Sequence, residues 1–281
     1  MNYRHGFHAG NFADVVKHSL LLLLLEALGQ KPAPWAYFDT HAGAGAYDLG
    51  SDSARRSGEA AGGILRLWPA RGKLPAAAES LCDIVAELNP GLTPGTLPRI
   101  YPGSPRVAAA LARASDRLIL AELHPEEARA LKAEFQRARH VAVHERDGYE
   151  MLQALTPPKE RRGLVLMDAP YEKSEEFELA VAALVSAHGR WASGVYALWY
   201  PIKDDSARRR FLRRAEQSGL RKLLLAEFRL APRADGLAGS GLLVLNPPWQ
   251  VDAAMRGCLE GLKPLLAPDG GETEVRWLVP E

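Results

Sequence analysis

Trp35-Ala36-Tyr37-Phe38-Asp39-Thr40-His41-Ala42-Gly43-Ala44-Gly45 decides the fold: a short apolar run flows directly into an acidic residue and two closely spaced glycines. Pro32 and Pro34 precede it, so the run reads as a buried strand entered from a loop. The glycines read as a turn whose backbone can approach a ligand closely. Upstream, Asn11 with Asp14 three residues later resembles a capping box, an apolar stripe follows through Phe12, Val15, Val16, Leu20 and Leu23, and Gly29 closes the helix. Downstream, strands are expected at 117–123, 140–144, 163–167, 195–199, 222–228 and 242–245. Helical patterns over 124–137, 149–155 and 175–188, and an arginine-rich helix before residue 222, separate them. This alternation predicts an α/β chain with a mostly parallel, doubly wound sheet. The last two strands have no long helix between them and are expected as an antiparallel pair at the sheet edge.

Residues 47–103 interrupt the alternation with frequent Pro, Gly and Ala and one amphipathic stretch at 76–88. They read as an inserted, mainly helical subdomain, leaving 1–46 and 104–281 as the main domain with an N-terminal arm.

With 47% hydrophobic and 25% charged residues in 281, the chain has the makings of a large core and is not a disordered polymer. Cys82 and Cys258 cannot form a multi-bridge framework and lack metal-ligand spacing, which suits a reducing cytoplasm. The leucine run 20–25 is too short to span a bilayer and is broken by Glu26, so a cytoplasmic protein without a membrane partner is expected. The formal net charge of +1 argues against a generally basic nucleic-acid binder. The charge is nevertheless uneven: residues 190–233 hold eleven Lys and Arg against four acids, a net of +7, leaving −6 elsewhere. Arg209, Arg210, Arg213 and Arg214 share one helical face, either solvated or in contact with phosphates.

A nicotinamide reading of the glycine turn needs a third glycine where Asp48 stands, and an acid about 20 residues onward that is missing. An S-adenosylmethionine reading fits better. The turn would hold the methionine moiety, Glu122 after the second strand the ribose hydroxyls, and Asp147 after the third the adenine amino group. Taken alone, the turn is equally an ordinary strand-to-helix connection; three strand-end features in order are stronger.

The fourth strand ends in Asp168-Ala169-Pro170-Tyr171. An exocyclic amine is a poor nucleophile because its lone pair is delocalised into the ring. A carboxylate or side-chain amide and a neighbouring backbone carbonyl that accept both amine hydrogens localise that pair, while an aromatic ring stacks on the extruded base. Asp168, the Ala169 carbonyl and Tyr171 are the candidates, with Pro170 shaping the loop. Asn246-Pro247-Pro248-Trp249 matches the usual Asp/Asn-Pro-Pro-Tyr/Phe pattern better in its letters but follows the last strand. It reads as a structural turn, with Trp249 able to wall the pocket. The opening Tyr3-Arg4-His5-x-x-His8 and His18 suggest a basic, aromatic arm near the active site; a zinc reading of His5, His8 and His18 lacks cysteine and strand-turn support, and no metal is expected.

Tyr-Arg-His-x-Phe-His-Ala-Gly-Asn at 3–11, Ala-Asp-Val-x-Lys-His at 13–18, Asp-Thr-His-Ala-Gly-Ala-Gly at 39–45, Tyr-Pro-Gly-Ser-Pro at 101–105, Ala-Leu-Trp-Tyr-Pro at 197–201 and Asn-Pro-Pro-Trp at 246–249 together resemble the RlmJ family of 23S ribosomal RNA (adenine-N6)-methyltransferases. The resemblance implies a Rossmann-like S-adenosylmethionine-dependent methyltransferase with a helical insertion. It implies a donor site lined by His18, His41, Ser104, Glu122, Asp147 and Gly148, with Gly43 in the turn and Lys17 nearby. It also implies catalysis by Asp168 and RNA contact by Tyr3. Arg4 and the arginine-helix residues Arg209, Arg210 and Arg213 are read as further RNA contacts. The family's Asp-Pro-Pro-Tyr becomes Asp-Ala-Pro-Tyr here. A monomer acting on 23S ribosomal RNA without an obligate protein partner is expected. Two rivals stand beside it: the same pocket acting on DNA adenine or a protein glutamine, and a non-catalytic ribosome-assembly protein that binds RNA.

Overall fold

Asn11 caps the first helix, α1 (Phe12–Gly29), its side chain accepting from Asp14 N at 2.9 Å, while Asp14 reaches back to Gly10 N at 2.9 Å. This helix is buried almost all round, Lys17, His18 and Ser19 included. That explains the leucine run: a helix apolar on every side is an interior helix. The computed structural model describes residues 5–93, 95–173, 175–231 and 236–281. No helix among them is long and apolar enough to cross a membrane.

The strands are β1 (Ala36–Asp39), β2 (Ala46–Asp48), β3 (Ile100–Pro102), β4 (Arg117–Glu122), β5 (Val141–Glu145), β6 (Gly163–Met167), β7 (Val195–Ile202), β8 (Leu223–Leu230), β9 (Gly239–Leu245) and β10 (Gly271–Val279). Eight of them form one sheet in the order β10-β8-β9-β7-β6-β1-β4-β5. The pairs β1–β4, β1–β6, β4–β5 and β6–β7 are parallel, whereas β9 runs antiparallel to both β7 and β8. The expected final pair is therefore antiparallel but does not form the edge. Strand β9 inserts between β7 and β8, and β10, unread in the sequence, closes the edge antiparallel to β8. Its run Gly-Glu-Thr-Glu-Val-Arg-Trp-Leu-Val is largely half-exposed, so it carries little of the apolar signal that marks the central strands.

Strand period divides the core. Tyr37 and Leu120 face one side, packed with α1, α4 (Ala76–Leu88), α5 (Ser104–Leu111) and α10 (Val251–Leu266). Phe38 and Ala121 face the other, packed with α7 (Gly148–Leu155), α8 (Glu175–Arg190) and α9 (Asp205–Glu216). Within residues 47–103 the chain leaves and returns through the antiparallel β2–β3 pair, and Ile64, Leu81 and Val85 are buried in the same core as α1.

Candidate active site

Strand register brings the chemistry to one edge. Asp39 at the end of β1 pairs with Leu120 of β4 and Leu166 of β6, so Glu122 and Asp168 emerge on either side of the glycine turn. Ala42 N donates to Ala121 O at 2.9 Å and Gly43 N to Glu122 Oε2 at 2.8 Å, stapling the turn to β4. Gly43 has φ +60°, and a Cβ there would lie 2.0 Å from the Tyr47 hydroxyl, so this position requires glycine. Glu122 accepts a second backbone bond, from His124 N at 2.7 Å, and so is held in one orientation.

Around this turn lies a cavity of about 660 Å³, counting its open mouth, lined among others by Lys17, His18, His41, Gly43, Ser104, Glu122, Asp168, Ala169 and Pro170. The Ser104 hydroxyl donates to Asp39 Oδ2 at 2.7 Å, as does the Tyr37 hydroxyl at 2.8 Å. Burial pushes the Asp39 carboxyl up to about 6, against the pull of these two donors. Burial pushes His18 down to about 3, and its Nδ1 lies 3.0 Å from the Tyr101 hydroxyl. His41 is likewise lowered by burial and packs edge-on to Tyr149 at 5.4 Å. Both imidazoles are therefore neutral near pH 7.

Stability follows from the sign of these shifts. A buried histidine that resists protonation favours the fold above its unfolded value near 6.5, and that contribution is lost as pH falls from there toward 3. The melting temperature should drop between pH 7.5 and 5.5, with a shallower decline in a His18→Gln variant; an unchanged slope in that variant would count against the assignment.

Asp147 and Gly148 stand beside the cavity rather than on its wall. Asp147 Oδ1 caps α7, accepting from Tyr149 N at 2.8 Å and Glu150 N at 3.0 Å. Gly148 lets that helix end close on β1, since a Cβ there would meet Thr40 O at 2.0 Å.

A second, wider cleft of about 2100 Å³ opens on the other side of Asp168, sharing His5, Lys17, Asp168 and Pro170 with the first and adding Trp199, Pro201 and Lys203. At the junction a chain of polar contacts runs from half-buried His5 through buried Asp14 and Lys17 to Asp168. His5 Nε2 lies 2.9 Å from Asp14 Oδ2, Lys17 Nζ 2.9 Å from Asp14 Oδ1 and 2.6 Å from Asp168 Oδ2. The two carboxylates raise the Lys17 ammonium above its usual range despite its burial. Its Nζ also lies 5.4 Å from the centre of the Trp199 ring.

Tyr171 is not on either wall, a correction to the expectation that it presents a stacking face. Its φ is +50°, a strained value for a bulky residue. Its hydroxyl donates to Trp199 O at 2.7 Å, and its ring packs 4.4 Å from Phe177. In this conformation it anchors the loop 168–171, and Trp199, with Phe12, lines the wider cleft. Trp199 carries no local motif for this place. The usable signal is its strand, because Met167 pairs with Leu198 and the residue after each, Asp168 and Trp199, must be neighbours.

The α9 arginines are not gathered at the site. The helix starts where β7 ends and returns along the sheet, so Arg213 in its last turn lies roughly 12 Å from the helix start. Arg209 pairs with Asp205, Arg214 with Glu178, and Arg210 donates to Ser206 Oγ at 3.1 Å. Arg208 turns inward to buried Glu227 at 2.5 Å. Tyr3 and Arg4 lie outside the described residues. The three histidines of the zinc reading go to three different partners, Asp14, Glu59 and Tyr101. No metal-holding group of three or more His, Cys, Asp or Glu occurs among the described residues.

The rival loop 246–249 is at the wrong end. Because β9 is antiparallel to β7, with Leu245 opposite Tyr196 and Gly239 opposite Ile202, the loop leaves the sheet at the edge remote from Asp168. There Asn246 Nδ2 donates to Ala192 O at 2.8 Å and Gly194 O at 3.0 Å, and Trp249 is 89% exposed. It walls no pocket of the site. Trp249→Ala is expected to leave kcat, KM and donor affinity unchanged and stability within about 0.5 kcal/mol, measured by steady-state kinetics and thermal melting.

Strand order, glycine turn and strand-end carboxylates define a Rossmann-like methyltransferase. A family model described as ribosomal RNA large subunit methyltransferase D, RlmJ, matches residues 32–279, and the chain belongs to this RlmJ family. It is 43% identical to ribosomal RNA large subunit methyltransferase J of Escherichia coli (strain K12) and 40% identical to that of Haemophilus influenzae, in each case across the whole of both chains. A crystal structure of a Legionella pneumophila protein superposes with a TM-score of 0.89 at 34% identity, over 96% of this chain and 98% of that one.

Proposed function

We propose that this protein transfers a methyl group from S-adenosylmethionine to the N6 amine of one adenine in 23S ribosomal RNA, acting in the cytoplasm as a monomer. The observation that carries the reading is the meeting of two cavities at Asp168: one suited to a donor, one open to an extruded base.

The donor cavity fits such a molecule. Its wall contains His124, whose buried Nδ1 has no hydrogen-bond partner, and Gly43 leaves room where a side chain would clash. Gly43 and Ser104 would hold the methionine end, Glu122 the ribose and Asp147 the adenine, with His18 and His41 as neutral walls and Gly148 keeping α7 close. When bound, S-adenosylmethionine supplies an electrophilic methyl on a sulfonium sulfur. Lys17 occupies Asp168 Oδ2, leaving Oδ1 to accept one N6 hydrogen while the Ala169 carbonyl accepts the other. The amine lone pair is thereby localised, and Asp168 is the group placed to take the proton that nitrogen loses. Trp199 supplies the flat apolar wall for the base, and Tyr171 and Pro170 fix the loop. Since only the Ala169 carbonyl is required, alanine serves where the family usually has proline. Tyr3 and Arg4 contribute RNA contacts, and the outer face of α9, through Arg209, Arg210 and Arg213, makes a more distant contact with a large substrate. Residues 1–46 and 104–281 form the methyltransferase domain, and the insertion 47–103 provides one wall of the RNA cleft.

Calorimetry with S-adenosylmethionine, followed by labelling of 23S ribosomal RNA from cells lacking the gene, tests the reading. Donor binding and ribonuclease-sensitive label support it. Label that survives ribonuclease, or no donor binding, overturns it.

A further inference from the structure

The charges of the wider cleft do not cancel locally. Each acid on its wall is already engaged: Asp14 by Lys17 and His5, Asp168 by Lys17, and Glu59 by His8 at 2.8 Å and Asn11 Nδ2 at 2.9 Å. Two exposed cations on the same cleft, Arg66 and Lys203, have no acidic partner among the described residues. They stand on different walls. Arg66 belongs to the short helix α3 (Ile64–Leu67) of the insertion. That wall is fixed, because Ile64 N donates to Gly10 O at 2.8 Å and Gly63 sits so tightly that a Cβ would lie 2.1 Å from Gly10 O. Lys203 follows β7, where Ile202 O accepts from Ala238 N at 2.8 Å. The hydrogen bond to Glu59 raises His8 above the usual imidazole range, and the charge of Lys203 opposes that rise, so Lys203 lies within electrostatic reach of His8.

We propose that Arg66 and Lys203 form a two-walled phosphate clamp that grips the RNA backbone beside the target nucleotide and orients its base toward Asp168. This rests on the reading of the cleft as the acceptor site. Two unpaired cations above a floor whose own charges are internally compensated suit a phosphodiester, which needs charge and hydrogen-bond donors but carries no base identity. A guanidinium on one wall and an ammonium on the other hold the backbone from both sides, which restricts rotation of the extruded nucleotide better than two cations on one wall would. They are positioning residues, acting on the base through the backbone to which it is joined.

The test uses the full-length protein, a short single-stranded oligoribonucleotide containing one adenine, and long 23S ribosomal RNA fragments. For Arg66→Gln and Lys203→Gln, affinity for the short RNA should fall about 3- to 10-fold each, and the slope of log Kd against log salt should lose roughly one unit per residue. Arg66→Lys should restore the slope. Donor binding by calorimetry should be unchanged in every variant, which shows that the fold and donor site persist. An Arg209→Gln/Arg210→Gln/Arg213→Gln variant should lose affinity only for the long fragments, because α9 lies outside the cleft. The clamp is overturned if the double Arg66→Gln/Lys203→Gln variant keeps the native affinity and salt slope on the short RNA. If instead the native protein binds donor but no RNA, it is the acceptor-site reading that fails, a result distinct from loss of the clamp.

Discussion

Asp168→Asn is expected to slow methyl transfer about 10²- to 10⁴-fold with donor affinity unchanged. The amide is the same size and can still offer its one oxygen to Lys17, which in the native protein sits 2.6 Å from Asp168 Oδ2. Its NH2 then occupies the place of Oδ1 and presents hydrogens to an amine that must itself donate. The favourable acceptor becomes a repulsive donor, and the amine nitrogen has no base to take its proton. Stability should fall less than in Lys17→Met, because Lys17 keeps Asp14 at 2.9 Å and the loop stays anchored through the Tyr171 hydroxyl on Trp199 O. Single-turnover kinetics with donor in excess separates the rate of chemistry from RNA binding; a native single-turnover rate would remove Asp168 from the mechanism.

Lys17→Met is expected to damage both stability and activity. The side chain is only 4% exposed and bridges two carboxylates, Asp14 and Asp168. Methionine preserves the volume but leaves both acids without their shared cation in a buried setting. Breaking a buried ion pair from one side costs about 3–5 kcal/mol, partly offset here because Asp14 keeps His5 and Gly10 N. Denaturant unfolding reads that loss. The kinetic loss arises separately, since Asp168 is no longer held by one oxygen with the other directed to substrate. A stable variant with native kcat would show that the ammonium neither braces the carboxylate nor orients it.

Much of this site could be read from sequence for a specific physical reason. Asp39, Glu122 and Asp168 each end a run of β-forming apolar residues, and a parallel sheet brings such ends to one edge whatever the loops between them do. Asp147 follows the same rule but is used as a helix cap in the structure. What escaped were relations across the chain. Asp14 looks like a helix-capping residue, which it is, yet its carboxylate also sets the charge state of Lys17. The pairing of Lys17 with Asp168 spans 151 residues, and no local pattern encodes it. The loop 246–249 shows the reverse failure: its letters match a catalytic motif, but an antiparallel last strand delivers it to the opposite edge. Topology decided between the two loops where composition could not. The arginine helix teaches the same lesson about charge. Its net excess is real, but its direction carries most of it away from the cleft, which is lined instead by two single cations, Arg66 and Lys203.

Methylation of one adenine N6 of 23S ribosomal RNA through Asp168 can be read by incubating the protein with unmodified 23S ribosomal RNA and isotopically labelled S-adenosylmethionine, then digesting the RNA to nucleosides for mass spectrometry. Label is expected in N6-methyladenosine alone, strongly reduced with Asp168→Asn. Label in any other nucleoside, or N6-methyladenosine formed equally well by Asp168→Asn, would contradict it.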